Sequence, residues 1–268
     1  MDSAARPEVT STPRHKRTVA VTGSASGIGA AVSRRLERSG LRVIGIDLHD
    51  APVTADLSGP EGRTRALTTL TELSGSRLDG VVLCAGIGPQ VTPTELITSV
   101  NYFGALAMLD GVLGLLAEGE APAAVVVSSN SAGITPPNEE LLGLLLERDE
   151  DKASSCAAAL DGATVYGMSK LALTRAMRRR VGAWGKAGVR LNAVAPGPVD
   201  TPLLAGGLED PVLGPLIEAL PVPMGRRANP AEIAAAIGFL LDPANSYVHG
   251  SVLFVDGGSD ALLRPDGL

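Results

Sequence analysis

Aromatic side chains make up only 3% of the 268 residues: three Phe, three Tyr and one Trp. A core of this chain must therefore be built from Val, Leu, Ile and Ala. Cysteine is almost absent as well. Cys84 and Cys156 are too few for a disulfide framework or a thiolate metal site, and a reducing cytoplasm is the expected compartment. His15, His49 and His249 are too scattered to share a ligand spacing, so no metal is expected. The longest apolar stretches are Ala123 to Val127, Leu141 to Leu146, and Tyr102 to Ala117, which Asp110 interrupts. None reaches the roughly 18 apolar residues of a membrane span. An excess of basic residues is missing too. Lys and Arg number 23 against 29 Asp and Glu, a net charge of −6, which excludes the broad cationic face that nucleic acid or an anionic membrane requires. Phosphate binding, if present, has to be local.

What the chain does have is 45% hydrophobic residues, enough for one large core. Residues 1–17 are rich in Ser, Thr, Pro and charge, and read as a disordered tail, not a signal peptide. From residue 18 short β-branched runs alternate with helical stretches, the pattern of a parallel sheet with crossover helices. The expected strands are Thr18–Thr22, Arg42–Asp47, Val53–Ala55, Gly80–Ala85, Ala123–Ser128, Arg190–Ala195 and Val252–Val255. The expected helices are Ile28–Ser39, Pro60–Leu73, Asn101–Ala117, Thr164–Trp184 and Pro230–Leu241, the last opened by Asn229 as cap. Together these predict a single α/β domain over 18–268: a doubly wound Rossmann fold with a seven-stranded parallel sheet and helices on both faces. Two segments break the rhythm. Residues 134–163 form an insert with its own amphipathic stretch, and residues 201–228, rich in Leu, Pro and Gly, read as a mobile apolar lid.

The first strand runs into Thr22-Gly-Ser-Ala-Ser-Gly-Ile-Gly29, and a helix follows at once. Glycines in that order let the backbone approach a pyrophosphate, which sits on the free N–H groups of the helix end. The second strand ends at Asp47, where a carboxylate can accept both hydroxyls of an adenosine ribose. Asp47 would repel a 2′-phosphate, and neither Ser24 nor Leu48 offers a compensating charge. NAD is therefore expected over NADP.

Tyr166 and Lys170, four apart near the start of a long helix, project from one face. Lowering a tyrosine pKa from about 10 to about 7 takes about 4 kcal/mol of preferential phenolate stabilisation. A nearby ammonium in a partly desolvated site can supply much of it.

With these elements in place the chain resembles the short-chain dehydrogenase/reductase family from residue 18 to 268. The resemblance rests on TGSASGIG at 22–29, Asp56-Leu57, Cys84-Ala85-Gly86, Asn101, Ser128-Ser129, YGMSK at 166–170 and Pro196-Gly197. It implies an oxidoreductase in which Tyr166 is the general acid/base and Lys170 binds the nicotinamide ribose and lowers the tyrosine pKa. Ser129 would orient the substrate oxygen, with Ser131 as a second candidate, and Asn101 would hold a relay water. The implied cofactor contacts are Gly23, Ser26, Gly27, Ile28, Gly29, Asp47, Leu48, Asp56 and Leu57 at the adenosine and phosphate end. Cys84, Ala85 and Gly86 would line the middle. Tyr166, Lys170, Pro196, Gly197, Val199 and Thr201 would hold the nicotinamide end, Val199 and Thr201 making polar contacts. Cys84 itself reads as core packing, not a nucleophile.

A closer resemblance, to the family's bacterial 3α-hydroxysteroid dehydrogenase/carbonyl reductase subgroup and the related aromatic-alcohol dehydrogenases, rests on stretches that include loops. These are residues 45–58, 83–90, 100–105, 183–192, 223–230 and 246–250. It implies NAD-dependent interconversion of an alcohol and a ketone or aldehyde on a small apolar substrate, a hydroxysteroid or alternatively a coniferyl-like aromatic alcohol. The insert would obstruct the usual tetramer contact, so a homodimer through another face is expected, with a tetramer as the alternative. A non-catalytic NAD-sensing module usually loses the Tyr or the Lys, and both are present here. A sugar-nucleotide epimerase would need a carboxyl-terminal substrate domain that this chain leaves no room for.

Overall fold

The computed structural model describes residues 16–267. Short runs of Val, Ile and Ala form seven strands: β1 (Thr18–Thr22), β2 (Arg42–Asp47), β3 (Val53–Thr54), β4 (Gly80–Leu83), β5 (Ala123–Val127), β6 (Arg190–Pro196) and β7 (Val252–Val255). They make one sheet in the order β3-β2-β1-β4-β5-β6-β7. Every pairing is parallel. The connections carry α1 (Gly27–Arg38), α2 (Pro60–Ser74), α3 (Glu95–Thr98), α4 (Ala105–Gly111), α5 (Leu113–Ala117), α6 (Ser131–Ile134), α7 (Glu139–Glu147), α8 (Glu150–Ala157), α9 (Gly162–Lys186), α10 (Pro202–Glu209), α11 (Leu213–Glu218), α12 (Pro230–Leu241) and α13 (Ser259–Leu263). Strand order reverses on either side of β1, which opens a crevice at the carboxyl ends of β1 and β4. The register places Thr22 beside both Ile46 and Leu83, so the loops leaving β1, β2 and β4 meet at one level.

The period of two along each strand divides the core into two layers. Val19, Val21, Val82 and Val125 pack with Val32 and Leu36 of α1 and Ile233 and Ile237 of α12. Ala20, Ile46, Val81 and Val126 face the other way, onto Leu70, Leu106, Met168 and Leu173. Asp79 ties the amino ends of the strands together beneath these layers. Its carboxylate is fully buried and accepts from Thr18 N at 2.7 Å and Glu120 N at 2.6 Å, with Arg77 at 3.3 Å.

All seven expected strands form with adjusted ends, and four of the five expected helices form as single helices. β3, β4 and β5 each stop before the residue at which the sequence ends them, and β6 runs on to Pro196. α9 starts at Gly162 because the Asp161 carboxylate accepts from Thr164 N at 2.9 Å, a capping signal set just ahead of the expected start. At α12 the expected cap is present: Asn229 Oδ1 accepts from Ala231 N at 2.9 Å, and Glu232 reaches back to Asn229 N at 2.8 Å. The stretch 101–117 is not one helix. It opens with a π-helical turn, Ser99–Gly104, and breaks at Val112, where Gly111 and Gly114 weaken the helix on either side. The tail falls outside the described residues except at its end, and there Arg17 is anchored. Its guanidinium donates to the carbonyls of Asp79 at 3.4 Å and Ala121 at 3.3 Å.

The insert is folded. Asn138 caps α7 and Asp149 caps α8 by accepting from Leu141 N at 2.9 Å and Lys152 N at 3.1 Å. Leu141, Leu142, Leu145, Ala153 and Ala157 are buried, and the two helices pack onto α9 and α3. Residues 201–228 carry α10 and α11. Their base is fixed by a parallel bridge between Val199 and Ala228.

Candidate active site

The glycine loop between β1 and α1 is built to let something approach. Gly23 and Gly27 have φ of +68° and +51°, and a Cβ on Gly23 would lie 2.9 Å from Ala85 Cα. A Cβ on Gly29 would run into the Gly23 carbonyl. Ser26, at the cap position of α1, makes no side-chain cap, and the first turn holds no acidic residue. The free N–H groups of that helix end thus face a cleft enclosing about 870 Å³ of open space. These residues fit a dinucleotide pyrophosphate.

Asp47, at the end of β2, holds the loop in place: its Oδ2 accepts from Ala25 N at 2.8 Å and its Oδ1 from Leu48 N at 2.7 Å. Thirteen of the expected cofactor contacts line this cleft: Gly23, Ser26, Gly27, Ile28, Gly29, Asp47, Leu48, Asp56, Leu57, Cys84, Ala85, Gly86 and Thr201. Asp56 is exposed, and its carboxyl is held below the usual carboxylate range, first by hydrogen bonds from Ser58 and then by Arg63 and Arg65.

The cleft continues past Ile28, Cys84, Gly86, Thr201 and Leu203 into a second, more apolar cavity of about 1240 Å³. Ser129, Tyr166, Lys170, Pro196, Gly197 and Val199 lie in its wall, with Ser131, Thr135 and the leucines of residues 201–228. Thr201 does double duty, since its hydroxyl accepts from Leu204 N at 3.2 Å and caps α10. Burial pushes the Cys84 thiol up to about 12, so it is an inert wall residue, as expected.

Lys170 reaches the junction of the two cavities. It is 5% exposed and donates to the Val127 carbonyl at 3.1 Å. Its Nζ lies 5.7 Å from the centre of the Tyr166 ring. Burial lowers its pKa to about 8. The expected drop in the Tyr166 pKa is not supplied by the chain's own groups. Burial raises it above the ordinary phenol value, and only the Ser129 hydroxyl nearby pulls it back down.

Asn101 is placed differently from the rest of the expected set. It is fully buried below both cavities, and its side chain is spent on one backbone unit, accepting from Ile87 N at 2.8 Å and donating to Ile87 O at 3.0 Å. Gly86 sits between it and the lysine, with room for no more: a Cβ there would be 3.1 Å from Asn101 Oδ1 and 3.4 Å from Lys170 Nζ. The two serines that end β5 part company. Ser128 turns into the protein and bonds Thr174 at 2.6 Å, while Ser129 faces the cavity and accepts from the Ser131 hydroxyl at 2.8 Å.

Gln90 is a wall residue the sequence reading passed over. Its Nε2 donates to the Leu203 carbonyl at 3.2 Å, threading between Gly88 and Gly206 to tie the β4 loop to α10. The only signal for it was two glycine-rich loops that would have to come close.

The sequence matches the short chain dehydrogenase family over residues 17–140. A second match, to the family described as enoyl-(acyl carrier protein) reductase, covers residues 152–260. It is 46% identical over 251 residues to 3-alpha-hydroxysteroid dehydrogenase/carbonyl reductase of Comamonas testosteroni, covering 92% of this chain and 98% of that protein. This chain belongs to the short-chain dehydrogenase/reductase family. It is thus an oxidoreductase, similar also to coniferyl-alcohol dehydrogenase of Pseudomonas sp. strain HR199, at 33% identity over 90% of this chain and 95% of that one. Among solved structures, 3-alpha-hydroxysteroid dehydrogenase from Pseudomonas sp. B-0831, complexed with NADH, superimposes with a TM-score of 0.92. It is 45% identical and covers 94% of this dehydrogenase and 100% of its own chain. The fold expected of the family is therefore present in this chain.

Proposed function

We propose that this enzyme is an NAD-dependent dehydrogenase that interconverts a secondary hydroxyl and a ketone on a bulky apolar substrate, of the 3α-hydroxysteroid class. The observation that carries the reading is the joining of the two cavities. Ser129, Tyr166 and Lys170 line an apolar chamber walled by Ile134, Leu203, Leu204, Leu213, Ile217 and Leu220, and this chamber shares Ile28, Cys84, Gly86, Thr201 and Leu203 with the dinucleotide cleft. NAD, when bound, supplies the hydride acceptor, and NADH the donor. Tyr166 takes the hydroxyl proton in oxidation and returns it in reduction, Ser129 holds the substrate oxygen, and Lys170 places positive charge beside the phenol. Asn101 pins the Ile87 backbone and keeps the β4 loop at the right height for Cys84 to Gly86 to line the nicotinamide side. NAD is favoured over NADP because the Asp47 carboxylate faces the cleft and, among the described residues, no Lys or Arg lines it.

Residues 201–228 act as the lid in this reading, and the two free cysteines suit a reducing cytoplasm. For the assembly we propose a homodimer. The insert helices occupy the face of α9, whereas the edge strand β7 and its surroundings leave Phe239, Tyr247, Phe254 and Leu262 exposed. Light scattering of the purified protein tests this, and a tetramer mass would refute it.

The activity test is NADH formation by the purified enzyme with NAD or NADP and a panel of a 3α-hydroxysteroid, a coniferyl-type alcohol and simple secondary alcohols. Steroid turnover with NAD is the expected result. Turnover of the aromatic alcohol alone would move the substrate class to that of the coniferyl relative, and silence across the panel with tight NADH binding would contradict the reading.

A further inference from the structure

Arg63, in the first turn of α2, is buried at 7% exposure, yet it lines neither cavity. Its guanidinium gathers three backbone carbonyls and one carboxylate. Nε donates to Leu57 O at 2.8 Å, and Nη2 donates to Ser58 O at 2.8 Å and to Ser99 O at 3.1 Å. Nη1 and Nη2 also meet Glu150 as a two-point pair at 2.7 and 2.6 Å. Glu150 belongs to the first turn of α8, in the insert. It also lies in the stretch 141–151, which neither family match covers.

Two of the three carbonyls that Arg63 holds, Leu57 O and Ser58 O, belong to the strap Asp56–Ser58, and Asp56 and Leu57 form the wall of the dinucleotide cleft beyond Asp47. This strap is packed from behind with no slack. A Cβ on Gly104 would come 2.7 Å from Leu57 O, and one on Gly62 would overlap Asp56 O. Its front is fixed by Asp56 Oδ1, which accepts from Ser58 N at 2.8 Å. A guanidinium buried among carbonyls loses its hydration, and a paired carboxylate offsets much of that cost. Glu150 is that anion, and its two-point geometry also fixes the plane of the guanidinium and hence the direction in which Nε and Nη2 address the strap.

We infer that Arg63 is a positioning residue for the dinucleotide and that Glu150, from the insert, holds it in position, so the insert is a structural part of the cofactor cleft as well as a neighbour of the substrate cavity. The inference rests on the reading of that cleft as a dinucleotide site. Removing the carboxylate frees Arg63 to turn toward water, and the strap loses the donors that set its height against the adenosine half.

The test is binding, measured without turnover. NADH and AMP are titrated against wild type, Glu150→Gln, Glu150→Ala and Arg63→Met, with thermal melting recorded for each. The expected result is a rise of about tenfold in the NADH dissociation constant in every variant and a similar loss for AMP, which carries only the adenosine half. At saturating NAD, kcat and the KM for the alcohol stay at wild-type values, and Arg63→Met combined with Glu150→Ala is no worse than either alone. A purely structural pair would instead lower kcat in step with the melting temperature, and would weaken alcohol binding as much as NADH binding. That pattern, or unchanged NADH affinity in a folded Glu150→Gln, overturns the inference while wild-type binding leaves the dinucleotide reading standing. If wild type binds neither NADH nor AMP, both fall. Glu150→Gln preserves the side-chain shape and carries the test should the truncations not fold.

Discussion

Ser131 donates to Ser129 twice, through its hydroxyl at 2.8 Å and its backbone N–H at 3.2 Å. A serine oxygen has two lone pairs, so both acceptor positions of Ser129 are taken and its own O–H is left to point into the cavity as a donor. Ser131→Ala removes one of the two anchors. We expect kcat to fall about tenfold with KM little changed, the size of one oriented hydrogen bond. Steady-state kinetics check it, and an unchanged kcat would leave Ser131 as a bystander.

Asp47 has two tasks that the sequence suggested as one. Its oxygens hold Ala25 N and Leu48 N while facing the cleft. Asp47→Ala should therefore weaken NADH binding and also narrow the gap between NADH and NADPH. Fluorescence titration of both cofactors decides it: a variant that discriminates as sharply as wild type would refute the charge argument.

Lys170 is held in the folded protein at a cost. Burial takes its pKa from 10.5 to about 8, so the unfolded chain binds this proton more tightly than the folded one. The penalty is present in full below the folded pKa and fades as the pH rises to the unfolded value. Lys170→Met should abolish turnover yet stabilise the fold at neutral pH by on the order of 2 kcal/mol, allowing for the lost bond to Val127. Melting curves against pH test the sign. The gap between variant and wild type should close toward alkaline pH, and a variant less stable than wild type at neutral pH would contradict it.

Asp79 works the opposite way. Its hydrogen bonds to Glu120 N and Thr18 N and its contact with Arg77 outweigh a large burial penalty and hold its carboxyl below the ordinary value. Its stabilisation is present above the normal carboxylate range and is lost as pH falls through the lowered folded pKa. Asp79→Ala leaves two buried N–H groups unpaired and should cost about 3 kcal/mol in denaturant unfolding. Wild-type stability retained in the variant would show that the knot is dispensable.

Features written in neighbouring residues were legible in the sequence. The glycine loop, the ends of the strands within a residue or two, the Tyr166–Lys170 spacing and the Asn229 cap all depend on local geometry. What was not legible depends on partners far along the chain. Nothing local marks Arg63, because its partner Glu150 lies 87 residues away. The π-helical turn at Ser99–Gly104 has no periodic signature, and its shape suits the approach of the Leu57 carbonyl to Gly104. The burial of the Tyr166–Lys170 pair is not written in its spacing. Spacing puts an ammonium near the ring, but the sequence does not say that the ammonium is buried and bonded to Val127.

The central claim is that Tyr166 carries the proton between solvent and substrate oxygen. Tyr166→Phe keeps the ring and removes only the hydroxyl, so one paired measurement isolates it: turnover of the alcohol alongside fluorescence titration of NADH. The account predicts a loss of about 10²–10⁴ in kcat with NADH affinity within about twofold of wild type. A Tyr166→Phe enzyme that still turns over at near the wild-type rate would contradict it.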